Sequence, residues 1–206
     1  TLAPIAMGLA QAYKFSNDPA MLTALRNAGS KLLAKTNNFS PPDGYLAVQL
    51  DRLFGGTIYR DHVWNNFYAP LAAGTYNRNG AGPLYSTTTY VALIITNRGA
   101  GQKNLATWDI GMGLVAAASM GASTSEWVAG VKTTINTLAY TNTDWYWEPI
   151  GLAGAVYGLA FVGEDYTATA GDYVGLNLMG MASALAGYQM TTGGFSYDAH
   201  DITTAG

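Results

Sequence analysis

The sequence predicts an all-α fold built from repeated helical hairpins, and three observations carry that expectation. First, two segments align without a gap: Ile5–Ala34, IAMGLAQAYKFSNDPAMLTALRNAGSKLLA, and Ile110–Ala139, IGMGLVAAASMGASTSEWVAGVKTTINTLA. Ile5 matches Ile110, Met7 matches Met112, Gly8 matches Gly113, Leu9 matches Leu114 and Ala12 matches Ala117; Leu33 and Ala34 match Leu138 and Ala139 at the far end. Second, the punctuation matches too, because in each segment a nearly all-apolar helix enters a short polar turn and then an amphipathic helix. Third, Met21, Leu22, Leu25, Ala28, Leu32 and Leu33 follow the helical period. The first helix of each pair is therefore expected to be buried all round, and the second to show one polar face.

Taken along the chain, Asp18 is an N-cap with Pro19 at the first helical position, where a missing N–H costs nothing. Asp43 is expected to cap a helix from Tyr45 to Phe54, with Thr57–Tyr76 as its partner. Ser86–Thr96, STTTYVALIIT, is rich in β-branched residues that suit a strand as well as a helix. Its helical neighbours make helix the expectation. Ser123 and Glu126 have the spacing of a capping box. Pro149–Val162 and Tyr173–Tyr188 are expected to form a further inner and outer pair. Gly55-Gly56, Gly80–Gly82 and Gly193-Gly194 mark turns between units.

Composition narrows the partners. Of 206 residues only 11% are charged, against about a quarter in an ordinary globular chain. The surface must then be made largely from Thr, Ser, Asn, Gly and Tyr, which is commoner outside cells. A net charge of -3, with the basic residues scattered, argues against nucleic acid, since phosphate binding needs a concentrated basic surface. With no cysteine there is neither a disulfide framework nor a thiolate metal site. The longest apolar stretch, Pro149–Gly163, is roughly 15 residues and interrupted by glycines, short of the roughly 20 needed for a membrane span. Residues 1–206 are expected to form one hairpin-repeat domain of a longer chain. Both ends read as trimmed and a signal peptide as removed, which gives an extracellular or cell-surface location.

An array of hairpins with buried inner and amphipathic outer helices curves into a double layer. The segment Gly187–Tyr197, GYQMTTGGFSY, resembles the Gln-x-x-x-Gly-Gly-Phe turn of the α/α-toroid superfamily. That superfamily comprises terpenoid cyclases, protein prenyltransferases and toroidal polysaccharide-degrading enzymes. The resemblance implies an α/α toroid or part of one, in which Gln189 ends a helix, Gly193 and Gly194 turn the backbone and Phe195 packs back. The chain departs from the superfamily's chemistry. It has no Asp-x-Asp-Asp or Asp-Asp-x-x-Asp motif for cyclisation and no Cys for a prenyltransferase zinc. No cofactor or metal is expected.

Three clusters are candidates for binding or chemistry. Asp144–Glu148, DWYWE, precedes the apolar helix at Pro149, and WYWEPIG is similar to a Trp-x-x-Glu-Ile-Gly stretch of toroidal polysaccharide lyases. There Trp145, Tyr146 and Trp147 would stack on pyranose faces while Glu148 accepts hydroxyl hydrogen bonds. The competing reading is structural, with the tryptophans stapling a loop and Glu148 facing a positive helix end. In Tyr59–Tyr68, YRDHVWNNFY, His62 would serve as base and Tyr68 as acid for β-elimination from a uronic acid, beside Asp61, Arg60, Asn65 and Asn66. Against this, adjacent Asp61 and His62 point roughly 100° apart on a helix, which favours capping or surface roles. Asp198–Asp201, DAHD, offers too few ligands for a Ca²⁺ loop. Asn38-Phe39-Ser40 matches a glycosylation sequon.

The expected function is a non-catalytic extracellular or cell-surface scaffold or interaction protein that self-associates through neutral aromatic surfaces. The alternative is a glycan-processing enzyme, a polysaccharide lyase or glycoside hydrolase, with a Trp-lined sugar groove. A toroid binding a small molecule or lipid is the third class considered.

Overall fold

The computed structural model describes residues 2–97, 103–138, 148–189 and 191, and these residues are predominantly helical. The chain divides into two compact units, Thr1–Tyr90 with Ala116–Ser123, and Val91–Val115 with Thr124–Gly206. Among the described residues no helix is long and apolar enough to cross a membrane.

In the first unit α1 (Leu2–Ser16) packs against α2 (Pro19–Leu33) and α3 (Pro41–Phe54). The Asp18 side chain accepts the Ala20 N–H at 2.8 Å, so α2 begins at Pro19 as its sequence requires. Leu25, Ala28, Gly29 and Leu32 form its buried face. The expectation for α1 fails. Ala3, Ala6 and Ala10 are buried, but Ile5 and Phe15 are 68% and 90% exposed. An apolar sequence reveals which residues can be buried; it takes a neighbour on every side to bury them, and among the described residues α1 has none over Ile5 and Phe15.

Helix α3 also starts earlier than expected. Pro41 and Pro42 occupy the first turn, whose N–H groups have no intrahelical partner anyway, and Ser40 is the cap. Asp43 works from inside the helix, accepting the Ser40 N–H at 2.7 Å. Gly55 and Gly56, at φ 82° and 83°, turn the chain into α4 (Ile58–Val63). A π-helical turn (Trp64–Tyr68) and α5 (Ala69–Ala73) continue it to Gly74, which ends the run at φ 71°. The π register has a cause in Pro70, which brings no N–H and clashes with the carbonyl four residues back. The wider turn absorbs this, with the Ala69 N–H donating to the Trp64 carbonyl. Next comes a short antiparallel ribbon that the sequence did not announce, β1 (Tyr76–Asn77) with β2 (Leu84–Tyr85), pairing Tyr76 with Tyr85.

Helix α6 (Thr87–Asn97) takes up the ambiguous β-branched stretch, as expected. Ser86 and Thr89 exchange bonds at its entry: the Thr89 Oγ1 accepts the Ser86 N–H at 2.9 Å and the Ser86 Oγ the Thr89 N–H at 3.3 Å.

The second unit centres on α7 (Lys103–Met120), as far as Val115, and on α9 (Glu148–Phe161). Residues 110 to 115 of α7 are all buried, as its all-round apolar sequence predicts. The two helices meet backbone to backbone. A Cβ on Gly111 would lie 2.1 Å from the Gly154 carbonyl oxygen, and one on Gly158 2.8 Å from the Gly111 oxygen. Helix α8 (Ser125–Ile135) begins one residue past Thr124, close to the expected Ser123 box, and buries Trp127, Gly130, Val131, Thr134 and Ile135. The segment after α9 is not the long helix expected from Tyr173. Gly171 and Gly175 take positive φ there, Thr167 bridges Asn177, and α10 (Leu178–Gly187) starts only where the Asn177 side chain accepts the Gly180 N–H at 2.9 Å. Gly193 and Gly194, the third expected turn, lie outside the described residues.

Open space and crowding among the glycines give a sharp contrast. Gly111→Ala forces a side chain into backbone and is expected to cost about 2–4 kcal/mol. Gly8→Ala, on an exposed stretch of α1 with nothing among the described residues within 4 Å of where the new methyl would stand, should gain about 0.5–1 kcal/mol of helix stability. Urea unfolding of the two variants in dilute solution measures both.

Candidate functional site

A dense cluster of polar and aromatic side chains lies in the first unit, around the α2–α3 loop. Phe39 is buried in that loop, so its main-chain N–H and C=O cannot bond to water and need partners. Tyrosine hydroxyls provide them. The Phe39 N–H donates to the Tyr76 Oη at 2.9 Å, and the Tyr90 hydroxyl donates to the Phe39 carbonyl at 2.9 Å. Phe67 fills the centre, stacked on Phe39 at 6.0 Å and edge-on to Tyr68, Tyr76 and Tyr90 at 4.9, 4.9 and 5.3 Å.

Charged groups border this cluster and are spent on structure. Asp43, 2% exposed, accepts from the Ser40 N–H and hydroxyl and from Lys35 Nζ at 2.6 Å. Asp51, 4% exposed, accepts from the Tyr59 and Arg60 N–H groups at 3.1 and 2.9 Å and from Arg60 Nε at 3.2 Å. It thereby satisfies the open N–H groups of the first turn of α4, where the helix dipole favours a carboxylate.

The residues singled out for chemistry take up separate structural roles around this frame. Asp61 is exposed and accepts the Thr57 hydroxyl at 2.7 Å, within its own first turn. His62 turns the other way; its Nε2 lies 2.7 Å from the Lys35 carbonyl oxygen. A carbonyl only accepts, so Nε2 carries the proton in this bond, and the ring rests 5.9 Å from Phe39. Tyr68 lies on the π turn, stacked with Trp64 at 6.4 Å and almost fully buried. Among the described residues its hydroxyl has no hydrogen-bond partner. It rests against Gly44, where a Cβ would come within 2.6 Å of the oxygen. Burial, with smaller contributions from Tyr90 and Asp43, pushes the Tyr68 hydroxyl well above the usual phenol value. Burial likewise pushes Tyr76 up to about 12.

Arg60 is bound to Asp51, Asn66 donates to the His62 carbonyl at 2.8 Å, and Asn65 is exposed. Trp145, Tyr146 and Trp147 lie outside the described residues, as do Asp198, His200 and Asp201. Glu148 opens α9 and belongs to the second unit; its side chain is outside the described residues. Among the described residues no three His, Asp or Glu side chains converge as a metal site.

Sequence reasoning missed the Lys35–Asp43 pair, the Asp51 cap and the two tyrosine clamps. The Ser40-x-x-Asp43 spacing of a capping box was a usable signal for the bonds between those two residues, though not for the lysine. The two tyrosine clamps join residues far apart in the chain, and the Asp51 cap reaches across the Gly55-Gly56 turn to the start of α4, so none of the three leaves a helical-spacing pattern.

The tyrosines differ in what their hydroxyls contribute. Tyr68→Phe removes a buried hydroxyl without a partner and should raise stability by about 1 kcal/mol, whereas Tyr90→Phe strips the donor from the Phe39 carbonyl and should lower it by about 1–2 kcal/mol. Denaturant titration of the pair is the check; destabilisation by Tyr68→Phe would reveal a bond to that hydroxyl. The raised tyrosines also set an alkaline limit. Above their usual value of 10.0 the unfolded chain releases protons that the native one keeps, so stability is full below that pH and falls as pH climbs towards about 12. Unfolding curves across the alkaline range, with Tyr76→Phe flattening the decline, measure it.

Comparisons with protein-family models, with curated proteins and with solved structures find no match to this chain.

Proposed function

We propose that this chain is a non-catalytic scaffold or interaction module, exported or displayed at a cell surface, built as hairpin repeats of α/α-toroid type. One observation carries the reading: the carboxylates and the histidine bordering the central cluster are engaged in holding loops and helix ends, while large apolar side chains face outward. Asp43, Asp51, Asp61 and His62 each bond to a neighbouring loop or helix end. Ile5, Phe15, Ile58, Val174 and Met179 are all more than half exposed. A surface with few charges and outward apolar side chains suits association with other proteins.

Support for the repeated plan comes from a third pair of helices. Helices α3 and α9 have 14 residues each and align without a gap, matching Pro42 with Pro149, Gly44 with Gly151 and Phe54 with Phe161. The alternative of a glycan-processing enzyme draws less support, because Asp61 and His62 are committed to structural bonds and the Tyr68 hydroxyl is enclosed.

Self-association is the property to measure. Light scattering coupled to size exclusion should give a mass that rises with concentration above that of one chain. A strictly monomeric protein at millimolar concentration would sink the scaffold reading.

A further inference from the structure

Helix α1 has an apolar face on each side. At about 100° per residue, the buried Ala3, Ala6 and Ala10 gather on one side. Ile5, Gly8, Ala12 and Phe15, all exposed, form a strip on the opposite side. The helix's one charged residue, Lys14, falls outside this strip by helical spacing. Helix α2, in the same unit, shows what an ordinary outer face looks like here: its exposed residues include Thr23, Arg26, Asn27, Ser30 and Lys31.

We propose that this strip pairs with the same strip of a second copy, the two α1 helices lying antiparallel about a two-fold axis at the level of residue 10. The pairing rests on the self-association reading and names the surface responsible. The strip is self-complementary. Reversed about residue 10, Ile5 faces Phe15 of the second copy and Gly8 faces Ala12, so large side chains meet at the ends and small ones at the centre. A two-fold interface requires this kind of reciprocity. Among the described residues nothing lies within 4 Å of where a Cβ on Gly8 would stand, so the backbone is open to close approach. The chain already packs helices in that way, through Gly111 of α7 against Gly154 and Gly158 of α9. Nor does charge oppose the pairing, since the strip carries none. Helix α1 is ~22 Å long, so the buried patch is smaller than the ~800 Å² per partner of a standard stable interface. The dimer is therefore weak and concentration-dependent.

Sedimentation velocity on the full chain, from micromolar to millimolar, tests this against three variants. The wild type is expected to reach a dimer, and Ile5→Asp or Phe15→Asp to weaken it by at least about tenfold in Kd, with unchanged far-UV circular dichroism. The double variant Ile5→Asp/Phe15→Lys should recover the dimer, because the antiparallel register sets each introduced carboxylate opposite an introduced ammonium, and added salt should weaken it again. Assembly that neither single substitution disturbs overturns the α1 surface while leaving self-association standing. A double variant that stays monomeric overturns the antiparallel register, and a wild type monomeric throughout overturns both this pairing and the reading beneath it.

Discussion

A protein with so few charges satisfies many of its buried main-chain polar groups with neutral side chains, beside the two carboxylates Asp43 and Asp51, and that constraint shapes both units. A buried loop such as the one at Phe39 would ordinarily be unfavourable, because its N–H and C=O lose their water. The Tyr76 and Tyr90 hydroxyls take both groups, joining the α2–α3 loop to the β-ribbon and to α6. In the second unit Asn136 does comparable work at the end of α8. Its Oδ1 accepts the Thr169 and Ala170 N–H groups at 2.9 and 3.2 Å, and its Nδ2 donates to the Thr169 hydroxyl at 2.9 Å. The loop after α9 is held by side chains whose bonds do not depend on pH in the physiological range.

The second recurring device is the missing Cβ. Gly29 admits Tyr59, Gly44 admits Tyr68, and Gly130 admits Val91 and Ile110, each at a distance that any side chain would close. Glycine is unfavourable inside a helix by its flexibility. Here the loss is offset by close contact between helices, which places more apolar surface out of water than bulkier partners could. The same arrangement explains the odd position of Tyr68. Its ring packs well, against Phe67 and Trp64, and the hydroxyl is carried along into a place where no acceptor lies among the described residues. A buried hydroxyl without a partner reduces stability, so packing outweighs hydrogen bonding at this residue.

Catalysis and assembly make opposite demands on such a molecule. A catalytic site keeps reactive groups uncommitted until substrate arrives, whereas the acids and the histidine of α3 and α4 are already engaged in capping and latching. What remains uncommitted is apolar surface, most of all the outer side of α1. The proposed self-association follows from that distribution, and the pairing of α1 gives the distribution a purpose.

The helical character of the chain was legible in the sequence because helix formation is local. Asp18-Pro19 begins α2, and the spacing from Met21 to Leu33 defines its inner face; neither depends on distant residues. The β-branched run at α6 was less legible, since its residues also suit a strand, and the Ser86–Thr89 exchange at its start is seen only in the structure. Part of the candidate site was legible for the same reason, since the divergence of Asp61 and His62 follows from helical geometry alone. Tertiary structure decided the rest. Sequence marked α1 and α7 as equally apolar, yet Ile110 is buried and Ile5 is 68% exposed, because burial belongs to the neighbours and not to the residue. The tasks of Asp51, His62, Tyr76 and Tyr90 were likewise invisible, since each bonds to a group that the chain brings near only by folding.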